Sequence, residues 1–398
     1  MTIAERLAEI LMDTRYEEIA DQAVDHAAMI VASTLASAAC GRHIASSRIV
    51  SEIEIQRGGT PEASVWFEKG VRLPVIGAAR ANALMSDAAA SDDSDLRNIV
   101  HAGTPLTATA LAVAEATGAS GKDILAAIVV GYEAAGRIGE SIMPKFDYRG
   151  HHGCMGAAFG PTIAAARLYG LTAEQAAHAL GLTATTIGGL TKAANTSIAR
   201  EYHAGNATMA GISAVQAAMR GYTGELAIFE MERGFCQLFG GSDGSVILED
   251  LGIDWDIVTD MALKLVPGGH PYHALGEAGA NAAREAEAAP EQVAKIIVSR
   301  PGMKNLTGPL HPKNLIDMAH SPAYFTAAGV RDHQFGWIHA SQEKIDDPVI
   351  HTLIDKVTVG PEPTENLAAY RQLILNKLLP GFDYLEVHHV QLLLNYQF

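Results

Sequence analysis

A chain of 398 residues with 48% hydrophobic and 19% charged residues is too apolar to be disordered and long enough for two or three domains. Its formal net charge of -16, from 45 acids against 29 bases, argues against nucleic acid as a partner and requires any anionic ligand to be met by locally concentrated basic groups. Cys40, Cys154 and Cys236 form no C-x-x-C pair and no disulfide framework, there is no basic signal-type start, and no unbroken run of 18 apolar residues occurs, so a cytoplasmic protein that does not engage a membrane is expected.

In chain order, residues 4–40 read as two amphipathic helices with a break near Thr14–Tyr16. Pro61 through Ala90 is Ala-rich and predicts a helix, followed by a polar break at Ser91-Asp92-Asp93-Ser94-Asp95. Thr104–Thr117 and residues 122–140 predict two apolar helices, with Gly131 and Gly136 admitting a close neighbour. A Gly- and His-rich loop, Tyr148-Arg149-Gly150-His151-His152-Gly153, precedes a helix over 155–170. Thr172 is an N-cap by type, with acid in the turn that follows, and 205–220 is one more helix of small residues. After about residue 260 the character changes. Val293–Val298 and Lys356–Val359 are rich in strand formers, and Leu373–Phe398 is apolar with few turn signals, a candidate terminal helix. The fold class is therefore mostly α, a large all-helical domain over 1–265 with a smaller α+β domain over 266–369 and a C-terminal segment over 370–398 that could return to the helical part.

Sixteen histidines invite a metal hypothesis, but no H-x-x-x-H or H-E-x-x-H falls on a plausible helix and the cysteines are scattered, so no metal is expected. No G-x-S-x-G elbow and no phosphate-binding glycine loop occurs, so neither a serine hydrolase nor a nucleotide cofactor is indicated. What remains are polar residues beside helix ends: Asp92, Asp93 and His101; His151 and His152; Arg200, Tyr202 and His203; Lys264, His270, Tyr272 and His273 around Pro267-Gly268-Gly269; and Ser321 with Tyr324. Helix N-termini converging there would make an anion site without a globally basic protein. Each alone has a blander reading: a histidine beside a helix start is often a cap, a buried tyrosine is often core, and a lone lysine is often a solvated charge.

Taken together, the segments resemble the MmgE/PrpD family over roughly residues 5–360. The resemblance is carried by Gly156-Ala157-Ala158-Phe159-Gly160 with Ala164-Ala165-Ala166-Arg167-Leu168-Tyr169-Gly170-Leu171, by Ala179-Leu180-Gly181-Leu182, by His203-Ala204-Gly205-Asn206-Ala207, by Gly131-Tyr132-Glu133 and by Lys264-Leu265-Val266-Pro267. It implies a helical domain with a smaller lid, a dimeric assembly and cofactor-independent chemistry on small polycarboxylates: dehydration of 2-methylcitrate, decarboxylation of cis-aconitate or epimerisation of iminodisuccinate. It marks His101, His151, Lys264 and Tyr324 as catalytic positions, and Asp93, Arg200, His203, His273 and Ser321 as substrate-binding ones. Three departures stand out: Arg200 where many members have lysine, Asp87 where the usual histidine stands, and Ala90-Ser91-Asp92-Asp93 where the first acid is lost.

Proton removal beside a carboxylate needs a positioned base and a charge clamp for the developing enediolate. His151 or His101 is the expected base, Arg200 and Lys264 the clamp, and Tyr324 the group on the other face. A 2-methylcitrate dehydratase-like hydro-lyase ranks first, an iminodisuccinate-type epimerase or cis-aconitate-type decarboxylase next, and a non-catalytic paralogue is the competing class.

Overall fold

The computed structural model describes residues 1–143, 150, 155–299, 303–361 and 389–394. They fall into two compact units, Met1–Leu263 and Lys264–Phe398.

The first unit is a helical bundle. Helix α1 (Ile3–Asp13) is started by Thr2, whose side chain accepts from the Glu5 amide while Glu5 reaches back to Thr2. After the break come α2 (Asp21–Gly41) and α3 (Ala45–Arg57). The helix expected from Pro61 begins only at Val75. Residues 61–74 instead form a small antiparallel hairpin, β1 (Ala63–Ser64) on β2 (Arg72–Leu73), turned at the left-handed Gly70 and stopped by Pro74, whose fixed φ opens α4 (Val75–Ala88). Every residue of α4 except Ile76 is buried, which makes it the central rod of the bundle. Its polar side chains are accordingly paired: Arg80 with Glu54 at 2.6 Å, Asn82 with the Trp66 amide and the Ser64 carbonyl, and Ser86 with Thr104 at 3.2 Å.

Around it lie α5 (Gly103–Thr117), α6 (Gly121–Ser141), α7 (Phe159–Leu168), α8 (Ala173–Thr186) and α9 (Ala199–Ala218). Thr172 caps α8 as its type suggests, within a Thr172–Gln175 capping box. The two glycines of α6 have different neighbours. A Cβ on Gly131 would meet Leu106 and the Gly160 carbonyl, so α5, α6 and α7 pack backbone-close there. A Cβ on Gly136 would meet the Asp256 and Asp95 carboxylates. Helix α2 is by length and composition apolar enough to cross a membrane. In this fold its inner face, Ala23, Ala27, Ile30, Thr34 and Ala38, is buried in the bundle.

The second unit holds a three-stranded sheet in the order β6–β5–β7, with β4 (Met261–Ala262) and β3 (Ser94–Asp95) forming a separate short ladder in the first unit. Strand β5 (Val293–Ser299) runs parallel to β6 (Val357–Val359) in the register Ile296↔Val357 and antiparallel to β7 (His389–Leu394) in the register Ser299↔His389. Residues 389–394, read from sequence as part of a terminal helix, are thus an edge strand. Pairing with β5 satisfies their backbone, which periodicity could not foresee. Helices α10 (His270–Glu285) and α11 (Pro322–Asp332) pack through Gly276, Gly279 and Gly329, and with α12 (Pro348–Ile354) bury a core of Leu275, Val293, Ile296, Val298, Phe325, Val330, Ile350 and Leu353.

Candidate active site

Helix α4 ends in an unusual turn. Ala90 has φ +55°, the left-handed conformation usually left to glycine at a helix end, and Ile99 has φ +59°, rare for a β-branched residue. Between these two bends lies the segment read from sequence as a polar break. It is not at the surface: Ser91, Asp92, Asp93, Ser94 and Asp95 are all buried. Buried polar groups need partners, and the bundle supplies them. Ser91 donates to Ser37 Oγ at 2.7 Å, and Ser37 in turn to the Ser86 carbonyl. Asp93 Oδ1 accepts the Gly103 amide at 2.8 Å and so caps the start of α5, where a Cβ on Gly103 would collide with that carboxylate.

His101 stands where this segment meets α5. Its Nδ1 lies 2.6 Å from the Asp93 carbonyl, 2.8 Å from Asp92 Oδ2 and 3.1 Å from Ser94 Oγ. A carbonyl and a carboxylate only accept, so Nδ1 carries the hydrogen and the lone pair of the neutral ring is on Nε2. The imidazole side chain is 27% exposed, whereas the Asp92 carboxylate behind it is fully buried. One ring nitrogen is thus held beside a buried anion.

Behind Asp92 stands Arg200, near the start of α9. Its Nη1 lies 3.2 Å from Asp87 Oδ1 and 3.5 Å from Asp92 Oδ1, and Nη2 donates to the Asp87 carbonyl at the end of α4. Burial alone would lower the Arg200 pKa, but Asp87, Asp92 and Glu201 outweigh it and hold the guanidinium charged. Burial pushes Asp87 up to about 6, opposed by Arg200 and assisted by Asp92, and pushes Asp93 up to about 6 with help from the charge of Asp92. His203 lies one turn after Arg200 on α9, its pKa lowered by burial.

Of the nine site residues drawn from sequence, Asp93, His101, Arg200 and His203 lie in the first unit. The structure gathers Asp93, His101 and Arg200 around Asp92, but with altered parts. Asp93 offers His101 its carbonyl and uses its carboxylate as a helix cap. Arg200 faces inward to two carboxylates. His151 lies outside the described residues, as does His152. In the second unit Lys264 is buried beside His273, whose pKa falls to about 4 through burial, then the Lys264 charge, against a hydrogen bond to the Gly268 backbone. His270 and His273 are neighbours, with ring centroids 5.5 Å apart, at the N-terminal end of α10. Ser321 caps α11, accepting the Tyr324 amide at 3.2 Å. Tyr324 is wholly buried in the core of its unit and donates to the His339 carbonyl at 2.7 Å. Its hydroxyl is spent on that bond, and burial pushes it up beyond the ordinary phenol range. Tyr324 and Ser321 thus have packing and capping roles in their unit.

Asp92 and Asp87 are the members that sequence reasoning passed over. Asp92 was in view as a neighbour of His101, but the i, i+1 pair Asp92-Asp93 gave no sign of which carboxylate turns toward the ring. Among the described residues no three His, Cys, Asp or Glu side chains converge as a metal site.

The first unit is thus mostly helical and carries a histidine set against a buried carboxylate. The chain belongs to the MmgE/PrpD family: the family's N-terminal domain matches residues 5–246. Among curated relatives, it is 24% identical over 386 residues to human cis-aconitate decarboxylase, covering 94% of this chain and 79% of that protein. It is 26% identical over 318 residues to the mouse cis-aconitate decarboxylase, covering 76% of this chain and 64% of that one. A cis-aconitate decarboxylase-like protein, oryM, of Aspergillus oryzae is 31% identical over 159 residues, 37% of this chain and 32% of its own.

Proposed function

We propose that this protein is a lyase that moves a proton at carbon beside a carboxylate of a small polycarboxylate, with His101 as the proton carrier. The observation that carries this reading is the pairing of His101 Nδ1 with Asp92 and the Asp93 carbonyl, which fixes one tautomer and leaves Nε2 as the basic atom. Asp92 also favours the imidazolium that forms when the ring takes a proton. The names of the relatives move decarboxylation of cis-aconitate or a close analogue ahead of dehydration, the first expectation from sequence. In such a reaction the His101 ring first takes a proton from solvent on Nε2; the carbon–carboxylate bond then breaks, CO2 leaves, its bonding pair stays on the carbon skeleton, and the Nε2 proton of the imidazolium quenches that pair. Solvent then restores the proton on the ring. Dehydration uses the same group in the opposite sense: His101 accepts the proton and hydroxide leaves from the neighbouring carbon.

The test is to incubate the purified protein in D2O with cis-aconitate, citrate, 2-methylcitrate and iminodisuccinate in turn and follow each by proton NMR. The expected result is loss of CO2 from cis-aconitate with deuterium in the product. A new vinyl signal from citrate or 2-methylcitrate would favour dehydration instead. No change in any of the four with folded protein would remove the proposal.

A further inference from the structure

The structure places Arg200 and Asp87 against each other. The geometry is that of an internal couple. Nη1 of Arg200 is shared between Asp87 Oδ1 at 3.2 Å and Asp92 Oδ1 at 3.5 Å, Nη2 is used by the Asp87 carbonyl, and only 12% of the side chain is exposed. The carbonyl it takes lies in the last turn of α4, where a cation is favoured by the helix dipole. The other carboxylate near the guanidinium, Glu201, is buried and accepts from Ser46 at 2.6 Å. Asp92 turns its two oxygens to different partners, Oδ1 to Arg200 and Oδ2 to His101.

We propose that Asp87 and Arg200 are positioning residues that share one charge so as to fix Asp92 against His101, and that Arg200 does not grip the substrate. This rests on the reading of His101 as proton carrier, but its test does not. Asp87 draws off part of the Arg200 charge, so Asp92 remains an effective anion for the imidazole. Without Asp87 the guanidinium would act on Asp92 alone and weaken its hold on the ring. Without both, Asp92 would act on His101 unopposed.

The experiment is to follow the His101 ring nitrogens by NMR against pH in the full chain, in wild type, Asp87→Asn, Asp87→Glu, Arg200→Gln and the double variant Asp87→Asn/Arg200→Gln, with turnover measured alongside. His101 is expected to titrate lower than wild type in Asp87→Asn, close to wild type in Asp87→Glu, and higher than in Asp87→Asn in the double variant, which removes one buried charge of each sign and serves if the single variant does not fold. Turnover in Asp87→Asn should fall about tenfold in kcat with KM within about twofold. A His101 titration unmoved in Asp87→Asn and the double variant, or a loss in Arg200→Gln confined to KM, overturns the proposal. Absence of turnover in every protein would count against the enzymatic reading only, because the ring titration still decides the couple.

Discussion

The segment after α4 feeds two largely buried charge networks put to different uses. In one, Asp87, Asp92 and Arg200 stand behind His101. In the other, three residues beyond Asp92, Asp95 caps the Arg97 and Asn98 amides, Arg97 meets Asp256 at 2.5 Å, Asp260 at 3.4 Å and Glu140 at 3.3 Å, and Arg137 pairs with Glu133, whose other oxygen accepts the Asp256 amide at 2.8 Å. Both hold more acid than base, and in both burial raises carboxyl pKa values, Glu133 to about 7 and Asp95 well above its usual range. The difference is the output. The second network ends on backbone amides and other ions, tying β3 to β4 and to the short helix Asp256–Thr259. The first ends on an imidazole. A raised carboxyl pKa therefore marks burial in both, and what sets the first apart is that it ends on an imidazole, whose ordinary pKa lies near neutral.

Several substitutions break or sharpen that contrast. The largest effect is expected at His101: His101→Asn should lower turnover about a thousandfold or more while circular dichroism and the thermal midpoint stay near wild type. Asp92→Asn comes next, with a loss of about a hundredfold in kcat and a changed pH–rate profile, since the ring loses its anion but keeps the Asp93 carbonyl. Arg97→Met should invert the pattern. It strands Asp256 and Asp260 and costs about 3 kcal/mol in denaturant unfolding, with turnover per folded molecule little altered.

Two smaller effects follow. Asp93 is raised from 3.8 to about 6, so the folded state binds its proton more tightly than the unfolded chain does. Its contribution to stability is full below about pH 4 and is lost as pH rises through 6. Asp93→Asn, which keeps the acceptor for the Gly103 amide, should flatten the decline in unfolding free energy between those pH values by at most about 3 kcal/mol. Smallest is Ala90→Gly, which relieves a left-handed alanine and should raise stability by up to about 1 kcal/mol, measured by the same unfolding curves.

What could be read from the residues alone follows from how local each signal is. The apolar helices, the Thr172 cap and the strand at Val293–Val298 are encoded in a few adjacent positions, and they stand at those places in the fold. The hairpin before α4 was absorbed into a helix because alanine-rich sequence hides a late start, although Gly70 and Pro74 marked it. The strand at 389–394 depends on β5, about 95 residues earlier, and no local pattern states that pairing. At the site, His101, Asp93 and Arg200 were in view by resemblance. Their division of labour was not, because the choice between a carboxylate and a carbonyl as the partner of His101 is made by the bends at Ala90 and Ile99, not by residue type. Tyr324 shows the converse: a residue marked by pattern whose hydroxyl the core has taken.

The central claim is that His101, held by Asp92, carries the proton. It is tested most directly by the deuterium content of the product formed from cis-aconitate in D2O by wild type and by His101→Asn. Deuterated product from wild type, and none above background from a folded His101→Asn, is the predicted result. Equal product from both proteins would contradict the account.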